Sequence, residues 1–364
     1  MDAQPTEREQ RVTPLELFFD LVVVFAITQV TQFMSHDLTW RGIGHGLLVL
    51  AAIWWAWTGY AWLTNALEPE EGQVRAGMFG AMAAMLVVAL AVPGAFGADE
   101  VLFGVAYLLV LLLNLVLDAI AAKRDPDLRR ALMGFAPMAT IGAVGILVAG
   151  FVDGGAQTAL WVVGLAVLYG GALIGRGKGW SVSPAHFAER YGLIVIIALG
   201  ESIIALGVGA AGFSLTAGII SAAVLEVVVV ASLWWAYFDV IAVMSQRQLA
   251  QTSGAERARL ARDYYSYLHL PMIAGIVLFA LGLKTTIEHV GEPLDTVPAV
   301  ALCGGLALYF LTHVGLRLRL VHSSAARRPS DQDGSGRAGS RRASPCWRSS
   351  QQRSSCRRSS PSRS

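Results

Sequence analysis

Ionisable side chains set inside apolar segments are the residues of this chain best placed to do chemistry. Glu16-Leu17-Phe18-Phe19-Asp20 opens one such segment, which runs on into Thr28-Gln29. Glu189-Arg190-Tyr191-Gly192 opens a second, which runs on into Gly200-Glu201-Ser202. A charge at the centre of a membrane helix costs about 2.5 to 3.5 kcal/mol on insertion scales, so each needs a partner or a task. If a helix starts at Pro184, Glu201 stands about 25 Å along it, and Glu226, entering from the other side, lies about 15 Å deep. Two carboxylates on adjacent helices could share a proton, because each raises the cost of ionising the other. That arrangement suits a proton- or cation-coupled transporter. The candidate ion or substrate set is therefore Asp20, Gln29, Glu201, Ser202 and Glu226. Glu16, His186, Glu189 and Arg190 form a second motif at the cytoplasmic face.

Structural roles compete with each of these. Thr13-Pro14-Leu15-Glu16 has the form of a capping box, with Thr13 at the N-cap and Pro14 at the first helical position. Ser183-Pro184 is expected to open a later helix in the same way. Asp20 lies one turn beyond Glu16 on the same face and could pair with Arg190. Glu201 could be satisfied by Ser202, Thr28, Gln29 or Asn114. Asp118 and Asp239 fall near helix ends, where water and interfacial pairing are expected to satisfy them. His269 and His313 read as hydrogen-bonded packing residues before proton relays. His36, Asp37 and His45 show no metal-ligand spacing, and three cysteines, two of them in the C-terminal tail, support neither a disulfide framework nor a Cys-based metal site. No metal or cofactor is expected.

The elements that carry these residues follow from composition. The chain has 364 residues, 55% hydrophobic and 15% charged, which leaves too little polar surface for a water-soluble globule of this size. Apolar runs of about 20 residues, enough to cross a hydrocarbon core of about 30 Å, recur along it. They predict an all-α polytopic bundle with spans near Leu15–Met34, Ile43–Leu63, Gly77–Phe96, Val101–Ile120, Ala131–Phe151, Thr158–Gly175, Ala188–Val208, Thr216–Ile241, Tyr265–Lys284 and Val297–Leu320. The third, fifth and sixth are rich in Gly and Ala, as close helix packing requires. The first is not a signal peptide: Asp20, Gln29 and Gln32 interrupt it, and no small-residue cleavage site follows.

Basic residues alternate with this count. One set of connections holds Arg8 and Arg11, Arg75, Lys123, Arg124, Arg129 and Arg130, then Arg176, Lys178 and Arg190. The same set continues with Arg247, Arg257, Arg259 and Arg262, and with Arg317 and Arg319. The opposite set holds only Arg41 and Lys284. Positive charge accumulates on the cytoplasmic side, so both termini are expected there.

The two glutamate-headed segments also suggest an internal duplication. Leu21-Val22-Val23-Val24 aligns with Ile194-Val195-Ile196-Ile197, Thr28-Gln29 with Glu201-Ser202, and Trp54-Trp55-Ala56-Trp57 with Trp234-Trp235-Ala236-Tyr237. Six helices separate the equivalents, so the units would share one orientation, related by an axis along the membrane normal. The expected organisation is a cytoplasmic segment over 1–14, a first repeat of six helices over 15–175, a truncated second repeat of four helices over 176–322, and a tail over 323–364. Of the 28 Lys and Arg and 26 Asp and Glu, ten arginines and two aspartates lie beyond Ala325, so the chain before the tail is net acidic. The tail is expected to be disordered. Its abrupt Arg/Ser/Pro/Cys mixture is what a shifted reading frame in a GC-rich gene encodes.

Glu16-Leu-Phe-Phe-Asp20-Leu-Val-Val-Val-Phe-Ala, and His186-x-x-Glu189-Arg190-Tyr191-Gly192-Leu followed by Leu199-Gly200-Glu201, resemble the hallmark segments of the bacterial low temperature requirement A family. The resemblance covers about residues 11 to 322, including the Trp-rich segments and the stretch from His269 to Gly275. It implies a multi-pass protein of the bacterial inner membrane, linked by name to growth in the cold, and brings no biochemical activity with it. No P-loop, Gly-x-Ser-x-Gly elbow or His-Glu-x-x-His motif is present, and no enzyme is expected. The expectation is a coupled transporter of a small solute or ion, with the lipid bilayer as its surroundings and no nucleic-acid partner. The alternatives are a membrane enzyme or binding protein acting on lipid headgroups through His186, Glu189 and Arg190, and a non-transporting stress-response component whose charges only pack helices.

Overall fold

The computed structural model describes residues 11–67, 72–123, 125–174, 179–211 and 214–325, with side chains to residue 319. Arg8, Arg124, Arg176, Lys178 and the tail beyond residue 325 lie outside the described residues. The described residues are all-helical, and ten of their helices are long and apolar enough to span a membrane. This is a multi-pass membrane protein.

Six helices come first: α1 (Pro14–His36), α2 (Trp40–Ala66), α3 (Gly72–Ala91), α4 (Glu100–Ala121), α5 (Pro126–Ala149) and α6 (Gly154–Ile174). After α7 (Pro184–Ala210) the eighth span is α8 (Ala217–Ala236), continued through a π-helical segment (Tyr237–Ala242) into α9 (Val243–Ala250). The ninth is built from α10 (Gly254–Ala261), a second π-helical segment (Arg262–Tyr267) and α11 (His269–Glu288), and α12 (Thr296–Ala325) closes the bundle. Spans eight and nine are therefore longer than hydropathy predicts. Their polar ends stay helical because side chains beyond the lipid boundary can be satisfied by water.

Local chemistry fixes where helices start. The capping box of α1 forms: Thr13 Oγ1 accepts from the Glu16 amide, and the Glu16 carboxylate accepts from the Thr13 amide at 2.8 Å. Asp125 caps α5 by accepting from the amides of Asp127 and Leu128. The start of α7 differs from expectation. Ser183 makes no side-chain cap; its amide instead donates to Asn65 Oδ1 on α2 at 2.9 Å, and Asn65 Nδ2 donates to the Ser181 carbonyl. A neighbouring helix thus accepts from the N-cap amide, as Glu16 does for Thr13 at the start of α1.

α1, α2, α7 and α11 pack together at the centre, with α3, α4, α5 and α6 following one another beside them. Backbones come closest where side chains vanish. A Cβ on Gly142 of α5 would lie 2.6 Å from the Gly164 carbonyl of α6, and one on Gly275 of α11 would lie 2.6 Å from the Gly305 carbonyl of α12. Outward faces such as Leu90, Val105, Leu225, Val228 and Leu311 are exposed and apolar, as a lipid-facing surface must be. The Trp-rich segments part company here. Trp54 and Trp57 are buried at 2% and 0% exposure, whereas Trp234 and Trp235 are exposed at 44% and 65%.

Candidate functional site

The two motif helices lie side by side, parallel and in step. Glu16 meets His186 and Arg190, and Thr28 meets Glu201, at sequence separations of 170, 174 and 173. Polar chemistry is thereby collected at two levels of one interface.

At the level where α1 begins, Arg190 is the hub. Its Nη1 donates to Glu16 Oε1 at 2.8 Å and to Thr64 Oγ1, and its Nη2 donates to Asp20 Oδ1 at 3.3 Å. Trp57 Nε1 donates to the same Asp20 oxygen at 2.7 Å, and its ring faces the guanidinium at 5.9 Å. His186 Nε2 stands 3.1 Å from Glu16 Oε1. Glu16, Asp20, His186 and Arg190 are all at most 1% exposed. Glu16 is thus both the helix cap and one pole of a buried ion pair that ties α1 to α7, with Thr64 and Trp57 bringing in α2. Arg190, counted in the sequence among the connection charges, is a buried residue of α7. Glu189, its neighbour, points elsewhere: it is exposed, accepts from the Val12 amide at 3.3 Å, and lines an open groove with Arg11, Phe238 and Gln246.

The second level is chemically bare. Glu201 and Glu226 each lie nine residues from the helix end opposite the clamp, about 13 Å at 1.5 Å per residue. Glu201 is 1% exposed and accepts from Thr28 Oγ1 at 2.5 Å. Among the described residues it has no cation within ion-pair distance. Glu226 is 3% exposed, and its Oε1 has no hydrogen-bond partner. No hydrogen bond joins the two carboxylates among the described residues. Ser202 Oγ is buried without a partner, Gln29 is half-buried beside Thr28, and a Cβ on Gly200 would meet no atom within 4 Å. Gly200 thus faces open space. Asn114 does not reach Glu201; its Oδ1 lies against Gly59 of α2.

The remaining polar residues settle as follows. His269 uses both ring nitrogens, at 2.8 Å from the Tyr264 carbonyl and 2.9 Å from the Tyr237 hydroxyl. His313 uses Nδ1 on the Tyr309 carbonyl and leaves Nε2 unpartnered. His45 stacks on Phe96 and contacts Thr158, and no His, Cys, Asp and Glu group among the described residues is arranged to hold a metal. Asp239 is exposed as expected, but Asp118 is not: it is 3% exposed. Sequence reading placed it at a watery helix end, and distance along a helix does not show what packs over it. The cavity that Asp118 lines was not foreseen either.

Fold and site define a polytopic membrane protein whose first and seventh spans are locked by a buried Arg–carboxylate clamp and carry a further buried acid in mid-interface. The family model for the bacterial low temperature requirement A protein (LtrA) matches residues 11–330, and the chain belongs to that family. It is also 30% identical over 305 residues to the uncharacterized protein RA0937 of Rhizobium meliloti (strain 1021), an overlap of 81% of this chain and 74% of that protein. No solved structure matches.

Proposed function

We propose that the chain is a proton- or cation-coupled transporter of a small solute, seated in a bacterial inner membrane with both termini cytoplasmic. The carrying observation is Glu201: a carboxylate buried between α1 and α7, held by the Thr28 hydroxyl and without a counter-charge. An acid in that state can take up and release a proton or a cation, as intramembrane acids on transport pathways do. Glu226, at the same depth on α8 with an unpartnered oxygen, is the second acid of the site, and Ser202 offers a hydroxyl beside it. Asp20 belongs to the clamp, because Arg190 and Trp57 already occupy its Oδ1. The in-step pairing of α1 with α7 supports a duplicated bundle, with the two motif helices as its equivalents.

The test is flux. In proteoliposomes under a valinomycin-imposed potential, with pyranine reading lumenal pH and pools of amino acids, polyamines or organic acids supplied in turn, the parent protein is expected to move protons with one pool. Glu201→Gln, which keeps the Thr28 contact, is expected to abolish that movement while the protein remains monodisperse. Flux unchanged in this variant, or absent with every pool, counts against transport. The lipid-headgroup reading retains one support, the open groove at Arg11 and Glu189, since His186 and Arg190 are buried and engaged. It predicts a copurifying lipid that Arg11→Ala releases.

A further inference from the structure

A separate cavity lies between α2, α4, α5 and α6 and the π-helical segment that precedes α11. The cavity is compact, about 90 Å³, below the range of drug-sized sites and suited to a small ligand. Trp55, Trp62, Trp180 and Phe135 supply aromatic wall, and Asp118, Asn114 and Thr58 supply polar groups. All three polar residues are at most 4% exposed. Thr58 Oγ1 and Asn114 Nδ2 have no hydrogen-bond partner, and the Asp118 carboxylate is buried beside them. Buried polar atoms are normally satisfied, so two unpartnered ones and a buried carboxylate facing one cavity point to an occupant.

We propose that this cavity binds a methylated ammonium compound. The cation would sit against Asp118 and the aromatic faces, whose quadrupoles attract positive charge. A hydroxyl or carbonyl elsewhere on the ligand would meet Thr58 and Asn114. A bare metal ion fits poorly, because hard cations need six or more oxygen donors and most of this wall is carbon. An anion is disfavoured by Asp118, and the guanidinium on the wall is engaged: Arg262 donates to Asp263 at 2.7 and 3.0 Å and to the Ala172 carbonyl at 3.0 Å. The cage is already formed. Trp62 Nε1 donates to Ser266 Oγ at 2.9 Å, the Trp62 and Trp180 rings meet edge to face at 5.6 Å, and Trp55 packs on Tyr169 at 4.3 Å. Little ordering is left for a ligand to impose. The proposal concerns binding and stands whether or not Glu201 carries transport.

The experiment is a calorimetric titration of the full-length protein in detergent with choline and with its uncharged isostere, 3,3-dimethylbutan-1-ol. Choline is expected to bind saturably and about tenfold or more tightly than the isostere, the size of effect that a desolvated cation on aromatic rings and a carboxylate gives. Asp118→Asn is expected to remove that preference. Ala131→Phe, which fills the cavity and leaves Asp118 in place, is expected to remove saturable binding and decides the matter if Asp118→Asn does not fold. Equal affinity for the two compounds, choline binding untouched by a folded variant, or no saturable choline binding would overturn the proposal.

Discussion

The α1–α7 interface carries carboxylates at two levels, and the two levels are finished in opposite ways. Where α1 begins, Glu16 and Asp20 share one guanidinium and receive an imidazole, an indole and a backbone amide besides. Further along, Glu201 receives the hydroxyls of Thr28 and Thr31 and, among the described residues, no cation, and across on α8 the Glu226 Oε1 receives nothing. All four acids are at most 3% exposed. Exposure therefore does not distinguish the two levels, and the partners present at each do. What distinguishes the first level is its counter-charge, since Asp20 Oδ2, His186 Nδ1 and Arg190 Nε lack partners there just as Glu226 Oε1 does on α8. An ion pair is costly to disturb, whereas an acid without a cation contributes little to packing.

The largest expected effect comes from breaking the ion-paired level. Arg190→Met removes the cation and leaves two buried carboxylates without it, a loss of about 3 to 5 kcal/mol for an interrupted buried pair. Thermal unfolding in detergent should show it as a large drop in Tm. Adding Glu16→Gln and Asp20→Asn should recover most of the loss, because neutral amides need no counter-charge. If Arg190→Met unfolds with the parent, the clamp is not what holds α1 to α7. A smaller effect at the same level isolates the cap from the ion pair. Thr13→Ala removes the hydroxyl half of the capping box and should cost about 1 kcal/mol, measured the same way, while Glu16 stays paired with Arg190.

The legible parts of this molecule are those that depend on local composition. Ten spans could be read from apolar runs, and the capping box of α1 from four residues. What escaped depends on contacts between distant segments. Arg190 was counted among the connection charges, and its pairing with Asp20 was legible, but its burial under α1 and α2 was not. Asp118 stands one turn from the end of α4, and α5, α6 and the segment around Arg262 cover that end. The ends of spans eight and nine read as loop because Gln246 to Ala261 is polar, but helix formation needs no apolar face once the chain has left the lipid. Glu201 was visible as a misplaced charge. Its partner Thr28 was one of several candidates until the parallel packing of α1 and α7 selected it.

The smallest stability effect is expected where the comparison is sharpest. Glu226→Leu replaces an acid whose Oε1 lacks a partner with a side chain of similar size that suits the lipid-facing helix around it. Removing an unsatisfied buried polar group relieves its desolvation cost, so the variant should lie within about 1 kcal/mol of the parent or be slightly more stable. Proton flux should nevertheless fall if Glu226 is the second acid of the transport site. That pairing of unchanged Tm with lost flux is the opposite of what Arg190→Met should give, where the helices themselves come apart. Should Glu226→Leu unfold as readily as Arg190→Met, Glu226 must be held by a partner of its own, and the division between acids with and without a counter-charge would fail.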